Sequence, residues 1–576
     1  MTTTSSASAR AYWPANGLAA LLDFAVLAHK RAGALLVLVS LLAFLPGFFQ
    51  IPPVDRDEAY FAQATKQMVE TGDYVDIRYQ ADTRYRKPVG IYWLQAGVVK
   101  AAEALGVPSA PRTIWLYRLP SLLAAIGAVL ATYWCALCFV GRRGAVLSGL
   151  MMAGSIALGI EARLAKTDAV LLFTVVLAMG VLARAYLLPR KAHESSAAAL
   201  SWPLAGIFWT ALAAGILDKG PLIVMVAGLA AVALSILERS GRWLTALRPL
   251  AGIIWLIVLV LPWFVAIYLR SGDAFLVNSV GHDMLSKVAG GQEAHGAPPG
   301  LYVLLFFATF FPASALAIPA VPAIWSARRQ HGVCFLLAWL VPSWIVFELV
   351  PTKLPQYVLP LYPAIAIMIA FAIEKNALSR RPSLKRAVVW WVVVPVVLSV
   401  AAIAAAIVVD RNLELPAWPF LAAALICGLF AWWLYDDDGA ERSLLRALAC
   451  VILLSIGIYA VVLPSLTPVF PSVALAKILR SASCPQPVAA SAGYEEPSLV
   501  FLAGSATRLT DASAAADFLR EGSCRFAFIG RPELPVFAQR AEAIGLHYKA
   551  GPTINGFNLS NGRRVAIAVF EAASTP

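Results

Sequence analysis

Acidic and basic side chains are concentrated in one segment that follows the first apolar run of the chain. The segment begins "DRDEAYFAQATKQM" and ends "RYRKPVGIYWL". Its candidates for chemistry are Asp55, Asp57, Glu58, Arg84, Arg86 and Lys87. Helix capping by the carboxylates and headgroup binding by the cations would each explain part of this pattern. Together, however, such groups provide a base or an electrostatic stabiliser and a site for a phosphate leaving group.

Further charged and polar residues lie in the loops between later apolar runs, including the long loop 270–299. Those that could take part in binding or catalysis are Glu161, Arg163, Lys166, Asp168, Asp218, Lys219, Arg270, His282, His295, Lys353 and Tyr357. The two histidines have acidic residues nearby and could hold a divalent cation, although solvated loop histidines are the commoner case. The spacings are not those of a zinc site, and no glycine-rich phosphate-binding loop is present. A divalent metal ion is therefore the one cofactor that the sequence leaves open.

The composition is that of a membrane protein. Of 576 residues, 60% are hydrophobic and 14% are charged, whereas soluble domains carry about 25% charged residues. The net charge of +13 could indicate nucleic-acid binding, but in a membrane protein Lys and Arg collect in cytoplasmic loops. We therefore expect a polytopic α-helical membrane protein that contacts membrane lipids and no nucleic acid.

Apolar runs predict about thirteen transmembrane helices. They lie at 33–51, 114–138, 144–161, 168–188, 203–217, 220–237, 248–269, 300–325, 332–349, 358–373, 386–409, 417–435 and 445–464. The stretch Val89–Leu105 is also apolar, but counting it as a span would invert every later loop, so we interpret it as an interfacial helix.

The loops between these runs alternate between mostly basic and chemically varied sequences, which predicts the topology. Residues 1–32 are expected to be a cytoplasmic segment without a cleavable signal peptide. The transmembrane domain then covers residues 33–464, with outer loops at 52–113 and 270–299. Every loop with varied chemistry faces the outside.

Residues 465–576 have a different pattern and predict a small outer α/β domain. Short strand-like segments such as "PVAASAG", "CRFAFIG" and "RRVAIAVFE" alternate with helix-like ones such as "DASAAADFLREG". Cys484 and Cys524 are the cysteines outside the apolar runs, and in an oxidising compartment they could form a disulfide.

Several motifs resemble those of a known family. Over most of residues 33–375, "DEAYFAQATKQMVETGDYVDIRYQ…RYRKPVGIYWL", "WLYRLPS", "LAKTD", "DKGP" and "KLPQYVLPLYPA" are similar to GT-C glycosyltransferases of the protein mannosyltransferase type. The similarity is greatest to the aminoarabinose transferases of lipid A and the related galacturonosyltransferases of lipopolysaccharide core. The resemblance implies a polyprenyl-phosphate sugar donor, inverting displacement, and a site on the periplasmic side of a bacterial inner membrane.

The resemblance also implies roles for individual residues. Asp57, Glu58 and Asp168 are the candidates for catalysis. Those for donor-phosphate binding are Arg84, Arg86, Lys87, Arg270, Lys353 and Tyr357, and those for other substrate contacts are Glu161, Arg163, Lys219, His282 and His295. Arg86 stands where enteric aminoarabinose transferases carry a glutamate, which favours an anionic or neutral sugar over a cationic one.

Three functions are consistent with these features. The leading hypothesis is transfer of one sugar, aminoarabinose, galacturonate or a similar monosaccharide, to lipid A or core lipopolysaccharide. A second enzyme hypothesis keeps the fold and makes protein Ser or Thr the acceptor. A transporter or flippase of a lipid-linked sugar is the third, but transporters place polar residues near the bilayer midplane, whereas here the charges lie in outer loops. The sugar, the acceptor position and the oligomeric state stay open.

Overall fold

The computed structural model describes residues 15–191, 200–279, 281, 296–378 and 382–573, which are mostly α-helical. Its α-helices of six or more residues are Ala15–Val26, His29–Phe44, Asp57–Thr71, Gly90–Ala104, Ile114–Ala136, Arg142–Ala153, Ile156–Glu161, Asp168–Lys191, Trp202–Lys219, Leu222–Leu237, Pro249–Ser271, Leu301–Thr309, Ser314–Ser326, His331–Leu349, Tyr362–Glu374, Pro382–Ala387, Trp390–Asp410, Trp418–Trp433, Tyr435–Ser455, Pro471–Arg480, Pro497–Ala503, Ala512–Arg520 and Leu534–Ala543. The strands are β1 (Arg78–Tyr79), β2 (Asp82–Thr83), β3 (Val488–Ala492), β4 (Arg508–Leu509), β5 (Arg525–Gly530), β6 (Tyr548–Asn558) and β7 (Arg563–Ala572).

A helix occupies each of the thirteen apolar stretches predicted to span the membrane. In the described residues, eight helices are long and apolar enough to cross, and a ninth span results if the bent pair Leu301–Thr309 and Ser314–Ser326 crosses as one. Others, such as Leu222–Leu237, are apolar but shorter, and bilayers accommodate short helices by local thinning. A polytopic α-helical membrane protein is confirmed, whereas the number thirteen stays a prediction.

The N-terminal segment contains a helix, Ala15–Val26, that the sequence pattern did not single out. It packs against the helices His29–Phe44 and Tyr435–Ser455. The guanidinium group of Arg143 donates to Asp23 at 2.6 Å and to both carboxylate oxygens of Glu441 at 2.6 and 2.7 Å. The basic loop "GRRG" thus connects the helices Ala15–Val26 and Tyr435–Ser455 through ion pairs of Arg143.

The first outer loop folds as a helix, a hairpin and a second helix. Asp57–Thr71 ends at Gly72, whose φ of 72° lies in the left-handed region that glycine adopts without strain. Gly90–Ala104 has 15 residues, which gives a length of roughly 22 Å, too short to cross a hydrocarbon core of about 30 Å. A Cβ on Gly90 would lie 2.7 Å from the carbonyl oxygen of Leu217, so glycine permits this helix to lie directly on the membrane domain.

The C-terminal residues form a five-stranded sheet in the order β4-β3-β5-β7-β6. β3 runs parallel to β4 and β5, whereas β7 is antiparallel to β5 and β6. Ala512–Arg520 and Leu534–Ala543 pack on the sheet through a core that includes Phe518 and Phe537. This confirms the small C-terminal α/β region, and the predicted strand segments match β3, β5 and β7.

Cys484 and Cys524 form a disulfide with a Cα–Cα distance of 5.8 Å. Each cysteine lies shortly before a strand, Cys484 before β3 and Cys524 before β5. Because these two strands are parallel neighbours, the disulfide joins their starting ends.

Candidate active site

Charged residues from several loops between the helices converge on one cavity of about 400 Å³. It is lined by Val54, Asp55, Arg56, Asp57, Glu58, Phe61, Arg84, Arg86, Lys87, Leu164, Lys166, Thr167, Asp168, Lys219, Thr352, Leu354, Gln356, Tyr357 and Ser560. Eight of the predicted site residues are therefore brought together: Asp57, Glu58, Arg84, Arg86, Lys87, Asp168, Lys219 and Tyr357. The fold thus delivers both signs of charge to a single site from distant parts of the chain.

Glu58 is buried and fully engaged in hydrogen bonds. Its Oε1 accepts from Arg118 Nε at 2.7 Å and from the backbone N–H of Ala165 at 2.9 Å. Its Oε2 accepts from Arg118 Nη2 at 2.8 Å and from the backbone N–H of Val54 at 2.9 Å. Arg118, which is also buried, donates in addition to three backbone carbonyls in residues 48–52. These contacts favour a positioning role for Glu58 over a direct role in catalysis.

Asp55 anchors the outer loop to the C-terminal domain. Its carboxylate oxygens accept from the backbone N–H of Ser498 at 2.9 Å and from the Ser498 hydroxyl at 2.6 Å. Burial raises the pKa of Asp55 to about 7, although the bonds from Ser498 lower it in part. The Ser498 hydroxyl lies 2.6 Å from that of Ser472, so the link continues into the domain.

Asp57 lies between these two anchored carboxylates. It is the first residue of the helix Asp57–Thr71, and its side chain is exposed in the cavity. Because Asp55 is fixed to Ser498 and Glu58 to Arg118, the backbone on both sides of Asp57 is held in place. A carboxylate that is exposed on a fixed backbone is suited to act on a bound substrate.

Lys166, Asp168 and Lys219 line the cavity and belong to a chain of alternating charges that continues to Glu161. Lys166 Nζ lies 3.4 Å from Glu161 Oε1 and 3.9 Å from Asp168 Oδ2. Burial lowers the pKa of Lys166, but Glu161 and Asp168 outweigh that effect and hold the pKa above its usual range. Lys219 donates to Asp168, and its Nζ lies 5.5 Å from the ring centroid of Tyr357. Lys166 is thus kept charged beside the cavity, and Lys219 is held at the cavity wall by its contact with Asp168.

The hairpin side of the cavity is also cationic. Arg84 is buried, with its guanidinium carbon 4.2 Å from the ring centroid of Tyr60 and 5.5 Å from that of Phe61. Arg86 and Lys87 follow it in the chain and line the same cavity. An arginine that stacks on aromatic rings keeps a fixed plane, which suits bidentate binding of phosphate.

Four predicted site residues do not line the cavity. Lys353 Nζ donates to the carbonyls of Glu348 and Val350 at 2.7 and 2.8 Å, where it satisfies the end of the helix His331–Leu349. Arg270 is exposed, with Nη2 3.5 Å from Asp73 Oδ2.

The other two form structural contacts behind the cavity wall. Arg163 donates to the carbonyl of Pro46 at 2.8 Å, and its guanidinium carbon lies 4.2 Å from the ring centroid of Tyr459. Glu161 contacts the cavity residue Lys166 and acts through it. His282 and His295 lie outside the described residues.

Sequence reasoning did not assign functions to several residues that form the site. Lys166 lies in the quoted motif "LAKTD", so its position was available, but its partners come from the fold. Ser560, from the C-terminal domain, lines the cavity beside residues of the membrane domain, and no local pattern signals that contact. Arg118 lies in the quoted motif "WLYRLPS", but its partner Glu58 is 60 residues away in sequence and no local pattern indicates the pair. In the described part of the chain, no group of three or more His, Cys, Asp or Glu residues is arranged to hold a metal ion.

Sequence comparisons agree with this geometry. The model of the PMT family, dolichyl-phosphate-mannose-protein mannosyltransferase, matches residues 34–277. Over 344 residues the chain is 28% identical to the undecaprenyl phosphate-alpha-4-amino-4-deoxy-L-arabinose arabinosyl transferase of Pseudomonas aeruginosa, an alignment that covers 58% of this chain and 60% of the relative. The enzyme of the same name in Pectobacterium carotovorum is 27% identical over 366 residues, with 62% of each chain covered. The aligned region therefore spans about three-fifths of the curated relatives.

Solved structures extend the similarity to nearly the whole chain. ArnT from Cupriavidus metallidurans in the apo state superposes with a TM-score of 0.70 at 19% sequence identity, covering 93% of this chain and 97% of ArnT. The form bound to undecaprenyl phosphate gives 0.68 at 20% identity with the same coverage. The chain therefore shares the fold of ArnT. The resemblance seen in the sequence is thereby confirmed, and the ArnT-like fold includes the C-terminal domain, where sequence similarity is weak.

Proposed function

We propose that this protein is an integral membrane glycosyltransferase that uses a polyprenyl-phosphate-linked sugar as donor. Its acceptor is lipid A or core lipopolysaccharide, and its site faces the periplasm at the bacterial inner membrane. The observation that carries the proposal is the single cavity in which Asp57 meets Arg86, Lys87, Lys166 and Lys219. Such a site matches a reaction that develops positive charge on a sugar and negative charge on a phosphate. The names of the curated relatives support the same donor class.

The reaction is a displacement at the anomeric carbon. An acceptor oxygen forms a bond to that carbon from the face opposite the donor phosphate, and the carbon–oxygen bond to the phosphate breaks with its electron pair. The configuration is therefore inverted. If the acceptor is a phosphate of lipid A, it is already ionised and needs no base. If the acceptor is a hydroxyl, Asp57 takes its proton.

The two sides of the cavity have complementary tasks in this reaction. The cations stabilise the departing polyprenyl phosphate, to which Lys87 is assigned by its position near the stacked Arg84. Asp57 stabilises positive charge on the sugar or orients the acceptor. Because the fixed backbone places these charges before substrate binds, they act without reorganisation in the transition state.

The identity of the sugar follows from charge complementarity at one position. Arg86 lines the cavity, and an arginine there would bind a uronate carboxylate and repel an aminosugar. We therefore propose galacturonate or a neutral monosaccharide ahead of 4-amino-4-deoxy-L-arabinose. Substrate competition between the three donors, with the Arg86→Glu variant alongside, tests this choice: the variant should gain activity toward the aminosugar donor.

The experiment that tests the function is sugar transfer in proteoliposomes with donor supplied from outside. The purified wild-type protein should transfer sugar to lipid A or core lipopolysaccharide with inversion, and Asp57→Asn should remove most turnover. A protein that moves the donor across the bilayer without forming a glycosidic bond would be a flippase, and the proposal would be wrong. Transfer to a Ser- or Thr-containing peptide in place of the lipid would identify the protein O-mannosyltransferase-type alternative.

A further inference from the structure

A second cleft, of about 840 Å³, lies between the C-terminal domain and the membrane domain. Val408, Val409 and Arg411 contribute from the end of the helix Trp390–Asp410. The β6–β7 hairpin and the segment after β5 contribute the remaining wall, including Arg531 and Arg563. None of these residues belongs to the cavity that holds Asp57.

The cleft is strongly basic. Four arginines line it, namely Arg411, Arg531, Arg563 and Arg564, and no acidic residue does. All four are exposed, and in the described ranges none of them forms an ion pair with a carboxylate. The guanidinium carbon of Arg564 lies 5.5 Å from the ring centroid of Phe557, which orients its plane. Exposed guanidinium groups of this kind favour a phosphate-bearing ligand.

The position of the cleft indicates that its ligand is a lipid. The stretch Leu384–Asp410 is long and apolar enough to cross a membrane, so its last residues mark the membrane surface. Val408 and Val409 are in that last turn, and Arg411 follows it directly. An amphiphile whose acyl chains lie in the bilayer would therefore meet the arginines with its headgroup.

One hairpin separates this cleft from the catalytic cavity. Ser560 lines the cavity with Asp57, whereas its chain neighbour Asn561 lines the basic cleft. Consecutive Cα atoms are about 3.8 Å apart, so the two spaces meet on either side of this turn. Glu496 holds the turn in place, since its carboxylate accepts from Asn558 Nδ2 and Ser560 Oγ, each at 2.7 Å.

We propose that the basic cleft binds a phosphate of the saccharolipid acceptor. With one phosphate on the arginines, the same headgroup extends past the β6–β7 turn so that its reacting oxygen enters the cavity beside Asp57. A glycerophospholipid, with a single small headgroup, cannot occupy both places. This inference rests on the proposed function, because it names the acceptor site of that reaction.

Binding to the intact protein in phosphatidylcholine nanodiscs tests the proposal without donor or turnover. The probes are lipid A with two phosphates, the same lipid after dephosphorylation, and phosphatidylglycerol. Arg563→Gln/Arg564→Gln removes two charges from β7, and Arg411→Gln removes one from a different element. Arg520→Gln is the matched control, since Arg520 is also exposed on the C-terminal domain but lies outside the cleft.

Each removed arginine should weaken binding of phosphorylated lipid A about fivefold, so roughly 25-fold for the double variant. Dephosphorylated lipid A should bind all variants equally, phosphatidylglycerol should lose clearly less affinity than phosphorylated lipid A, and Arg520→Gln should match the wild type. In transfer assays, KM for the acceptor should rise while KM for the donor is unchanged. An equal loss of phosphatidylglycerol binding, or no loss for phosphorylated lipid A in either variant, would overturn the proposal.

The binding measurement also distinguishes failure of this inference from failure of the proposed function. A wild-type protein that transfers no sugar, yet binds phosphorylated lipid A through these arginines, would disprove the function and leave the lipid site intact. A protein that transfers sugar with unchanged acceptor KM in Arg411→Gln and in the double variant would keep the function and remove the site.

Discussion

Replacing Glu58 by glutamine tests whether this residue positions the site or acts in the chemistry. The two oxygens of Glu58 accept four N–H donors, two from Arg118 and one each from the backbone of Val54 and Ala165. An amide has one oxygen and one NH2 group, so in either orientation two of the four donors would face an NH2 group. Each hydrogen bond to a charged group contributes about 1.5–3 kcal/mol, which gives a loss of roughly 3–6 kcal/mol.

An independent argument gives a similar magnitude. Arg118 is fully buried, and removing one partner of a buried ion pair costs about 3–5 kcal/mol because the other charge is left uncompensated. We therefore expect Glu58→Gln to lower the thermal unfolding midpoint in detergent and to make the outer loop sensitive to protease. Glu58→Gln/Arg118→Met should recover part of the midpoint, because it removes both charges.

The neighbouring carboxylate provides the control. Asp57→Asn should unfold at the wild-type temperature while turnover falls by about 10²–10³-fold, the typical cost of losing one transition-state stabiliser. Glu58→Gln should show the opposite pattern: its unfolding midpoint should be lower than that of the wild type, and the protein that remains folded should keep turnover. If Glu58→Gln kept the wild-type midpoint and lost as much turnover as Asp57→Asn, Glu58 would be a catalytic residue and the positioning argument would be wrong.

Three further predictions concern the C-terminal domain and the topology. Cys484→Ser/Cys524→Ser should destabilise that domain by about 2–4 kcal/mol. Proteolysis after residue 470 should then occur at a lower temperature than in the wild type, whereas sugar transfer should continue. Alkylation of both thiols in the unreduced native protein would contradict the disulfide. The pKa of Asp55 is raised to about 7 in the folded protein, so its protonated form favours the fold. The stability of the wild type relative to Asp55→Asn should therefore fall as pH rises from about 4 to 7 and stay level above that range. A difference in stability that does not change with pH would exclude this titration. Reporters fused after residues 142 and 470 should be cytoplasmic and periplasmic respectively, and a cytoplasmic signal at 470 would mean that the Gly90–Ala104 stretch spans the membrane.

The helical part of the fold could be predicted because its signal is local. A bilayer requires long apolar runs in which the helix satisfies every backbone hydrogen bond, so composition alone located the stretches that are helical in the structure. The helix Ala15–Val26 was missed because the charged pair of "HKRAG" follows it and the segment resembled a cytoplasmic tail. Strand β6 was missed for another reason: Tyr548–Asn558 contains two glycines and a proline, which are depleted in strands, and it forms through pairing with β7.

The site residues were predictable where a short motif carried them and not where the partner is distant in sequence. Asp57, Lys87 and Asp168 lie in motifs and line the cavity. Lys353 also lies in a motif, but its ammonium group donates to carbonyls at the end of the preceding helix, His331–Leu349, a contact that the motif does not reveal. Asp55 bonds Ser498 across more than 440 residues, and only the docked domain makes that contact visible.

Three carboxylates within four residues therefore have three different environments for a geometric reason. A helix begins at Asp57, so Asp57 and Glu58 project about 100° apart around its axis, whereas Asp55 lies in the turn that precedes the helix. Glu58 then points into the membrane domain and meets Arg118, and Asp55 points toward the C-terminal domain and meets Ser498. Asp57 lies between these two anchored residues, and its side chain extends into the cavity. The two neighbouring carboxylates are thus the means by which Asp57 is held at the cavity.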